Sequence, residues 1–287
     1  MQGIYAPLTT PFRDQQLDEQ AFVANLAYYE QTGLVGYLIL GSSAESPLLT
    51  PAEGRRLLEL ARQATRRRLL AGVAHESTAG TLKGLEEAAR LGADYGLVRT
   101  PAYFGSQADQ LGYYLELAQH SPLPLVVYQI PQYTGIKLPS ELLLEVASHP
   151  RIVGIKDSAG DLACLQEIMA SRPEGFDYLL GAAGVLLPGL MVGASGGILA
   201  LANVLPEACV RVFDLFKLGQ FEPARQLAAR LIPLNRAIGA SAGYGLAGLK
   251  YAMSLRGLVG GPPRSPLRPL EPAHQSVLEA LVNAVEP

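Results

Sequence analysis

Short apolar runs alternate with longer amphipathic stretches along this chain. Runs at residues 4–8, 36–40, 69–74, 95–99, 125–129, 152–156, 178–181 and 196–201 read as strands. Most are dense in Val, Ile and Leu, as parallel strands buried on both faces should be. Helical patterns lie between them. Residues 18–32 carry Phe22, Leu26 and Tyr29 at helical spacing. Thr50-Pro51-Ala52-Glu53 is a helix start, with a Thr cap, Pro at the first position and Glu three residues after the cap. A helix at 79–91 ends at Gly92, a C-terminal signal. Further helices are expected at 106–119, at 140–148 behind a Ser140 cap, and at 161–171 behind an Asp161 cap.

Eight strands alternating with helices point to an α/β fold, a (β/α)8 TIM barrel with additional C-terminal helices. An open doubly wound sheet is the alternative, but no Gly-x-Gly-x-x-Gly opens an early helix. The barrel is expected over residues 1–205. Residues 206–287 form a C-terminal helical extension packed on it, broken at Gly260-Gly261-Pro262-Pro263.

Composition narrows the function. Of the 287 residues, 49% are hydrophobic, enough for a large core. The formal charge is −3, with 23 basic and 26 acidic residues, which gives no basic face for nucleic acid. Arg66-Arg67-Arg68 reads as a solvated helix end. The apolar tract at 184–205 is broken by Pro188, Gly193, Gly196 and Gly197, which argues against a membrane span. Cys164 and Cys209 lack metal-ligand spacing and are read as free thiols. No signal-peptide order is visible at the start, so a cytoplasmic location is expected.

The stretch RIVGIKDSAGDL, residues 151–162, ends an apolar run in Lys156-Asp157-Ser158. In a barrel the active site lies where strands end. Strand two is followed by Gly41-Ser42-Ser43-Ala44-Glu45-Ser46, strand four by Thr100-Pro101-Ala102-Tyr103-Phe104, and strand five carries Tyr128. By alternation Lys156 shares a face with Gly154 and Ile152, and Gly154 is read as leaving space for a ligand. Desolvation favours the neutral form of a buried amine, and a neutral amine attacks a ketone to form a Schiff base. A neighbouring tyrosine can move the protons. The serines after strand two can hold a carboxylate through hydroxyl and backbone donors. Each residue also has a plainer reading. Lys156 and Asp157 could be a rim ion pair, Tyr128 a core aromatic, and Gly41-Ser42-Ser43 an ordinary turn. Gly193 to Gly197, near strand eight, fit close packing better than phosphate binding. Of His75, His120, His149 and His274, only His75 sits at a strand end, which disfavours a metal. No metal and no cofactor are expected.

Taken in order, APLTTPF, GSSAES, TPAYF, VVYQIPQYTG, GIKDSAGD and GASGGILALANVLPE resemble the family of dihydrodipicolinate synthases and N-acetylneuraminate lyases over nearly the whole chain. These are lysine-dependent class I aldolases on a (β/α)8 barrel. The resemblance implies that Lys156 is the Schiff-base lysine, Tyr128 the proton-transfer tyrosine and Ser42 the hydroxyl relay. It implies that Ser43 helps hold the pyruvate carboxylate and that Tyr103 completes the relay, in many members across a subunit contact. Gly181 and Ile198 would line the pocket. It further implies a small-molecule 2-oxo acid substrate and a homotetramer built as a dimer of dimers.

The departures narrow the choice. Dihydrodipicolinate synthases, which serve lysine biosynthesis, place an Arg immediately before Thr-Gly in the fifth-strand motif. Here that position is Tyr133. A phenol cannot supply a bidentate guanidinium. Ala44 replaces a usual Gly. The segments SPLLT, HEST, KDSAGD, LLGAAGVLLPGLMVGASGG and GGPPRSPL resemble the 4-hydroxy-2-oxoglutarate aldolase subgroup, in which Ser158 would help position the substrate. The expected reaction is cleavage of 4-hydroxy-2-oxoglutarate to pyruvate and glyoxylate. A 2-keto-3-deoxy sugar-acid aldolase and a non-catalytic 2-oxo acid binding protein are the alternatives.

Overall fold

The computed structural model describes residues 1–103, 105–241 and 245–285. Phe104 of the TPAYF segment lies outside them. All eight predicted strands form: β1 Gly3–Pro7, β2 Gly36–Ile39, β3 Arg68–Val73, β4 Tyr95–Arg99, β5 Leu125–Gln129, β6 Ile152–Asp157, β7 Asp177–Leu180 and β8 Gly196–Ile198. They are parallel and pair in chain order. The barrel closes because β1 pairs with both β2 (Tyr5 with Gly36) and β8 (Gly3 with Gly196). A small antiparallel ribbon, Phe12–Arg13 with Gln16–Leu17, was not anticipated; two residues per strand carry too little pattern to read.

The helices are α1 Glu19–Tyr29, α2 Pro51–Ala64, α3 Thr78–Arg90, α4 Gln107–His120, α5 Ser140–Ala147, α6 Leu162–Ser171, α7 Leu186–Val192, α8 Pro206–Lys217, α9 Phe221–Gly239, α10 Leu246–Ser254 and α11 Pro272–Ala284. The capping box before α2 forms, with Thr50 and Glu53 bonding each other's backbone N–H. Asp161 caps α6 through the N–H groups of Ala163 and Cys164. Ser140 does not cap α5. It is the first helical residue, and its hydroxyl donates to Glu167 instead. Helix α8 packs against β1, and α9, α10 and α11 pack on one another behind it.

Two apolar layers result. Tyr5, Leu38, Leu70, Leu97, Val126, Leu179 and Ile198 fill the barrel, while the larger cluster lies between strands and helices. The register slips where Leu125 faces Ile152 and Val126 faces Gly154, skipping Val153. This bulge turns Ile152 into the outer layer and Val153 toward the inner one. The strict alternation expected from the sequence therefore holds for Gly154 and Lys156 but not for Ile152. Gly154 leaves no ligand space either: a Cβ there would meet the Asp177 carbonyl at 2.5 Å, so the glycine serves close strand packing.

The arginine cluster is only in part a solvated helix end: Arg66 and Arg68 are exposed just beyond α2, but Arg67 is engaged. Arg67 donates to the carbonyls of Tyr29, Glu30, Thr32 and Leu34, satisfying the end of α1. Arg68 opens β3 and donates to the Tyr5 hydroxyl at 3.4 Å. Among the described residues no helix is long and apolar enough to cross a membrane.

Candidate active site

Strand β6 carries Lys156 into the barrel mouth, 3% exposed, register partner of Tyr128 on β5 and Leu179 on β7. Its Nζ lies 4.2 Å from the centroid of the Tyr128 ring. The Tyr128 hydroxyl shares a hydrogen bond of 3.1 Å with Ser42 Oγ. Three side chains from β5, β6 and the β2 loop thus form one chain of contacts.

The next residue on β6 faces the other way. Asp157, 1% exposed, accepts from the Gln129 side-chain amide at 3.1 Å, the Tyr178 hydroxyl at 2.9 Å and the Ala159 N–H at 2.9 Å. Burial, and then the Asp157 charge, push the Tyr178 hydroxyl well above its ordinary pKa, so it stays a donor. Gln129 in turn accepts from Leu138 N–H at 2.8 Å. The plain reading of Lys156 and Asp157 as a rim ion pair fails, because adjacent strand residues point to opposite faces.

These groups open on a cavity of about 400 Å³ lined by Ser42, Ser43, Tyr128, Tyr133, Lys156, Ser158, Gly181 and Ile198. Lys156 is the charged side chain on its wall, and no carboxylate from the described residues faces it. Such a wall suits an anionic ligand. Gly181 is fixed by packing: a Cβ would stand 2.1 Å from Ser158 Oγ, and its N–H donates to the Asp157 carbonyl at 2.6 Å. Ser158 is held by its N–H to Gln129 O and by Gln132 Nε2 donating to its carbonyl. A second cavity, about 600 Å³ and largely apolar, adjoins the first and shares Ser42, Tyr128, Ile130, Tyr133 and Leu246.

Eight of the nine residues expected at the site line the smaller cavity. Tyr103 does not. It is 85% exposed, outside both cavities, on a loop tied by its backbone N–H to Glu76 at 3.0 Å. Burial alone would raise the Glu76 carboxyl; the Tyr103 N–H and the Arg99 guanidinium outweigh it and hold it below its usual value. Tyr133 is 40% exposed, on a helical turn Pro131–Thr134 closed by Gly135 at φ +69°.

The β2 loop explains why Ala44 is tolerated. Ala44 sits in the right-handed turn Ser42–Ala44, and the left-handed residue that follows it is Glu45, at φ +57° and ψ 34°. That conformation costs a non-glycine residue roughly 1–2 kcal/mol. Glu45 pairs with Lys250 of α10, both side chains at most 1% exposed. Desolvation lowers the Lys250 pKa, and Glu45 opposes the shift without cancelling it. Sequence reasoning missed this pair. Glu45 stood inside the GSSAES motif, but nothing near Lys250 in the chain announced a partner. It also missed Asn235, Leu246 and Leu249, which bring α9 and α10 to the cavity wall. Among the described residues no group of three or more His, Cys, Asp or Glu side chains could hold a metal ion.

A closed parallel barrel with a buried lysine at a strand end, a tyrosine against it and a hydroxyl on that tyrosine defines a lysine-bearing barrel of the lyase kind. The dihydrodipicolinate synthetase family profile matches residues 1–285. The chain is 33% identical over 280 residues to a 4-hydroxy-tetrahydrodipicolinate synthase from an Exiguobacterium species, covering 96% of this chain and 95% of that one. It is 34% identical over 289 residues to an uncharacterized DapA-like lyase of Halobacterium salinarum, covering 98% and 92%. Among solved structures, the 4-hydroxy-tetrahydrodipicolinate synthase of Methylacidiphilum fumariolicum superposes with a TM-score of 0.94 at 28% identity, over 99% of this chain and 95% of that one. A dihydrodipicolinate synthase family protein from Coccidioides immitis gives 0.89 at 30% identity, over 98% and 94%. The chain belongs to the dihydrodipicolinate synthetase family. It is a Schiff-base-forming class I aldolase or lyase with a small 2-oxo acid as substrate.

Proposed function

We propose that the chain cleaves 4-hydroxy-2-oxoglutarate to pyruvate and glyoxylate, with Lys156 as the Schiff-base lysine. The observation that carries this reading is the contact chain Lys156–Tyr128–Ser42 on a cavity whose wall carries the lysine amine and no described carboxylate. Lys156 Nζ, as the neutral amine, adds to the C2 carbonyl and, after loss of water, forms a protonated imine. Tyr128, relayed through Ser42, takes the proton of the C4 hydroxyl. The C3–C4 bond breaks, its electron pair enters the iminium to give the enamine of pyruvate, and glyoxylate leaves. Protonation at C3 and hydrolysis release pyruvate. Ser43 and Ser158, on the same wall, are placed for the substrate carboxylates.

Tyr133 supports this choice over dihydrodipicolinate synthesis, the activity in the names of the relatives. A phenol at that position offers no guanidinium for the carboxylate of the aspartate-derived aldehyde. The adjoining cavity favours a second reading, a 2-keto-3-deoxy sugar acid whose tail extends past Tyr133. The outward exposure of Tyr103 suits a relay completed in a neighbouring subunit of a cytoplasmic homotetramer.

Borohydride reduction in the presence of pyruvate, followed by peptide mapping, tests the core of the proposal. A reduced adduct on Lys156 is expected. Absence of an adduct in folded protein with excess pyruvate would overturn it and leave a 2-oxo acid binding protein. Turnover of 4-hydroxy-2-oxoglutarate, measured beside a 2-keto-3-deoxy sugar acid, then decides the substrate.

A further inference from the structure

We propose that the buried Lys250–Glu45 pair is a positioning device that holds the Ser42 hydroxyl in line for proton transfer at Tyr128. Neither residue touches the smaller cavity around Lys156. Both act through the β2 loop.

The geometry is specific. Glu45 sits one turn after Ser42, and its N–H donates to the Ser42 carbonyl at 3.0 Å. Its backbone is left-handed, a conformation that needs holding. The holding groups come from the far end of the chain. Lys250 Nζ pairs with Glu45 Oε1, donates to the Pro262 carbonyl at 3.1 Å and lies 4.6 Å from the Phe12 ring centroid. The Arg264 backbone N–H donates to Glu45 Oε2 at 2.7 Å. On the other side of the loop, the Thr10 hydroxyl donates to the Ala44 carbonyl at 2.7 Å. The loop is thus gripped at its left-handed Glu45 and at the carbonyl of the residue before it.

Burial argues that the pair supplies geometry rather than stability. A buried ion pair is a poor stabiliser, often matched by apolar side chains of similar volume. What apolar side chains cannot supply is a directed contact that sets the rotation of the Glu45 backbone. With that rotation go the Ser42 position and its 3.1 Å contact to Tyr128. The same α10 that carries Lys250 places Leu246 and Leu249 on the cavity wall, so one helix sets both the relay loop and the opposite side of the site.

The inference rests on the proposed relay from Tyr128 to Ser42. Its test therefore separates imine formation from proton transfer. The double variant Lys250→Met/Glu45→Gln removes both charges together. Glu45→Asp keeps the charge and withdraws it by one methylene. Two readouts are taken with pyruvate: borohydride trapping on Lys156, and exchange of the pyruvate C3 protons for deuterium in D2O, followed by proton NMR. Both variants are expected to trap as the wild type does, while C3 exchange slows by about 10- to 100-fold, the scale of a misplacement near 1 Å. Exchange at the wild-type rate in Glu45→Asp would overturn the proposal. So would a parallel fall of trapping and exchange, which would assign the pair to stability alone. Failure of the double variant to fold counts the same way if Glu45→Asp exchanges normally. Absence of any adduct in the wild type would instead sink the Lys156 reading, a separate failure.

Discussion

Tyr128 and Lys156 are register partners on neighbouring strands, and the lysine Nζ lies 4.2 Å from the centre of the tyrosine ring. Parallel pairing fixes this juxtaposition: with β5 and β6 in register, both side chains enter the barrel at the same height. The tyrosine is then free to turn its hydroxyl to Ser42. In the proposed mechanism, imine formation and proton transfer fall to two residues that cannot drift apart without breaking the sheet.

Lys156→Ala is expected to abolish lyase turnover, by at least about 10³-fold, and to eliminate the borohydride adduct. Circular dichroism should be unchanged, because removing a buried cation from a wall without a described carboxylate strands no partner charge. Full activity in this variant would refute the assignment.

Tyr128→Phe keeps the ring against Lys156 and removes the hydroxyl bonded to Ser42. The expected result is a kcat about 10²- to 10⁴-fold lower with pyruvate trapping retained. Steady-state kinetics beside trapping check it. Equal loss of both would place the hydroxyl in imine formation instead.

Tyr133→Arg should shift selectivity away from glyoxylate, whose carboxylate sits directly on the aldehyde carbon, toward the aspartate-derived aldehyde, whose carboxylate lies farther out. One charge-assisted contact would change the ratio of kcat/KM values by about tenfold or more. Competition between glyoxylate and the aspartate-derived aldehyde for pyruvate measures it. An unchanged ratio would mean that the position does not face the aldehyde.

Asp157→Ala should destabilise the barrel. It leaves the Tyr178 hydroxyl and the Gln129 amide buried without their acceptor. Each stranded group costs roughly 1–3 kcal/mol, so a loss of about 2–6 kcal/mol is expected. Thermal or urea unfolding measures it. A variant as stable as the wild type would show that these donors find water.

The Glu53–Arg264 pair predicts an acid-sensitive contribution to stability. Arg264, donating from both terminal nitrogens, holds the Glu53 carboxyl at about 2 against partial burial, with Thr50 adding to the shift. A carboxyl depressed in the fold stabilises above its unfolded pKa and loses that stabilisation as pH falls through the folded one. The window runs from about 4.5 down to about 2. Its full size is at most about 3 kcal/mol. Glu53→Gln should flatten that part of the stability–pH curve; an unchanged slope would refute the pairing.

Much of this protein was legible in one dimension. Strands buried on both faces must be apolar throughout, so eight short Val, Ile and Leu runs declared a barrel. Catalytic groups in a barrel sit at strand ends, so Ser42, Tyr128 and Lys156 could be singled out without coordinates. Alternation gave Lys156 its inward face. It misplaced Ile152, because a bulge is a property of two strands and leaves no mark on one. It also gave Gly154 the wrong purpose, since the carbonyl that forbids a side chain there belongs to Asp177 on the next strand.

The sequence by itself determined the architecture and the candidate lysine and tyrosine. These follow from local periodicity and from side-chain chemistry. The tertiary structure decided the rest. It turned Asp157 from a rim counter-ion into the acceptor of a buried polar network. It made Arg67 the clasp of α1, left Tyr103 outside the cavities, and brought Lys250 to Glu45. Each of these depends on burial and on partners distant in the chain. A charged residue can be recognised in a sequence, but what neutralises it once water is removed is set only by the packed fold.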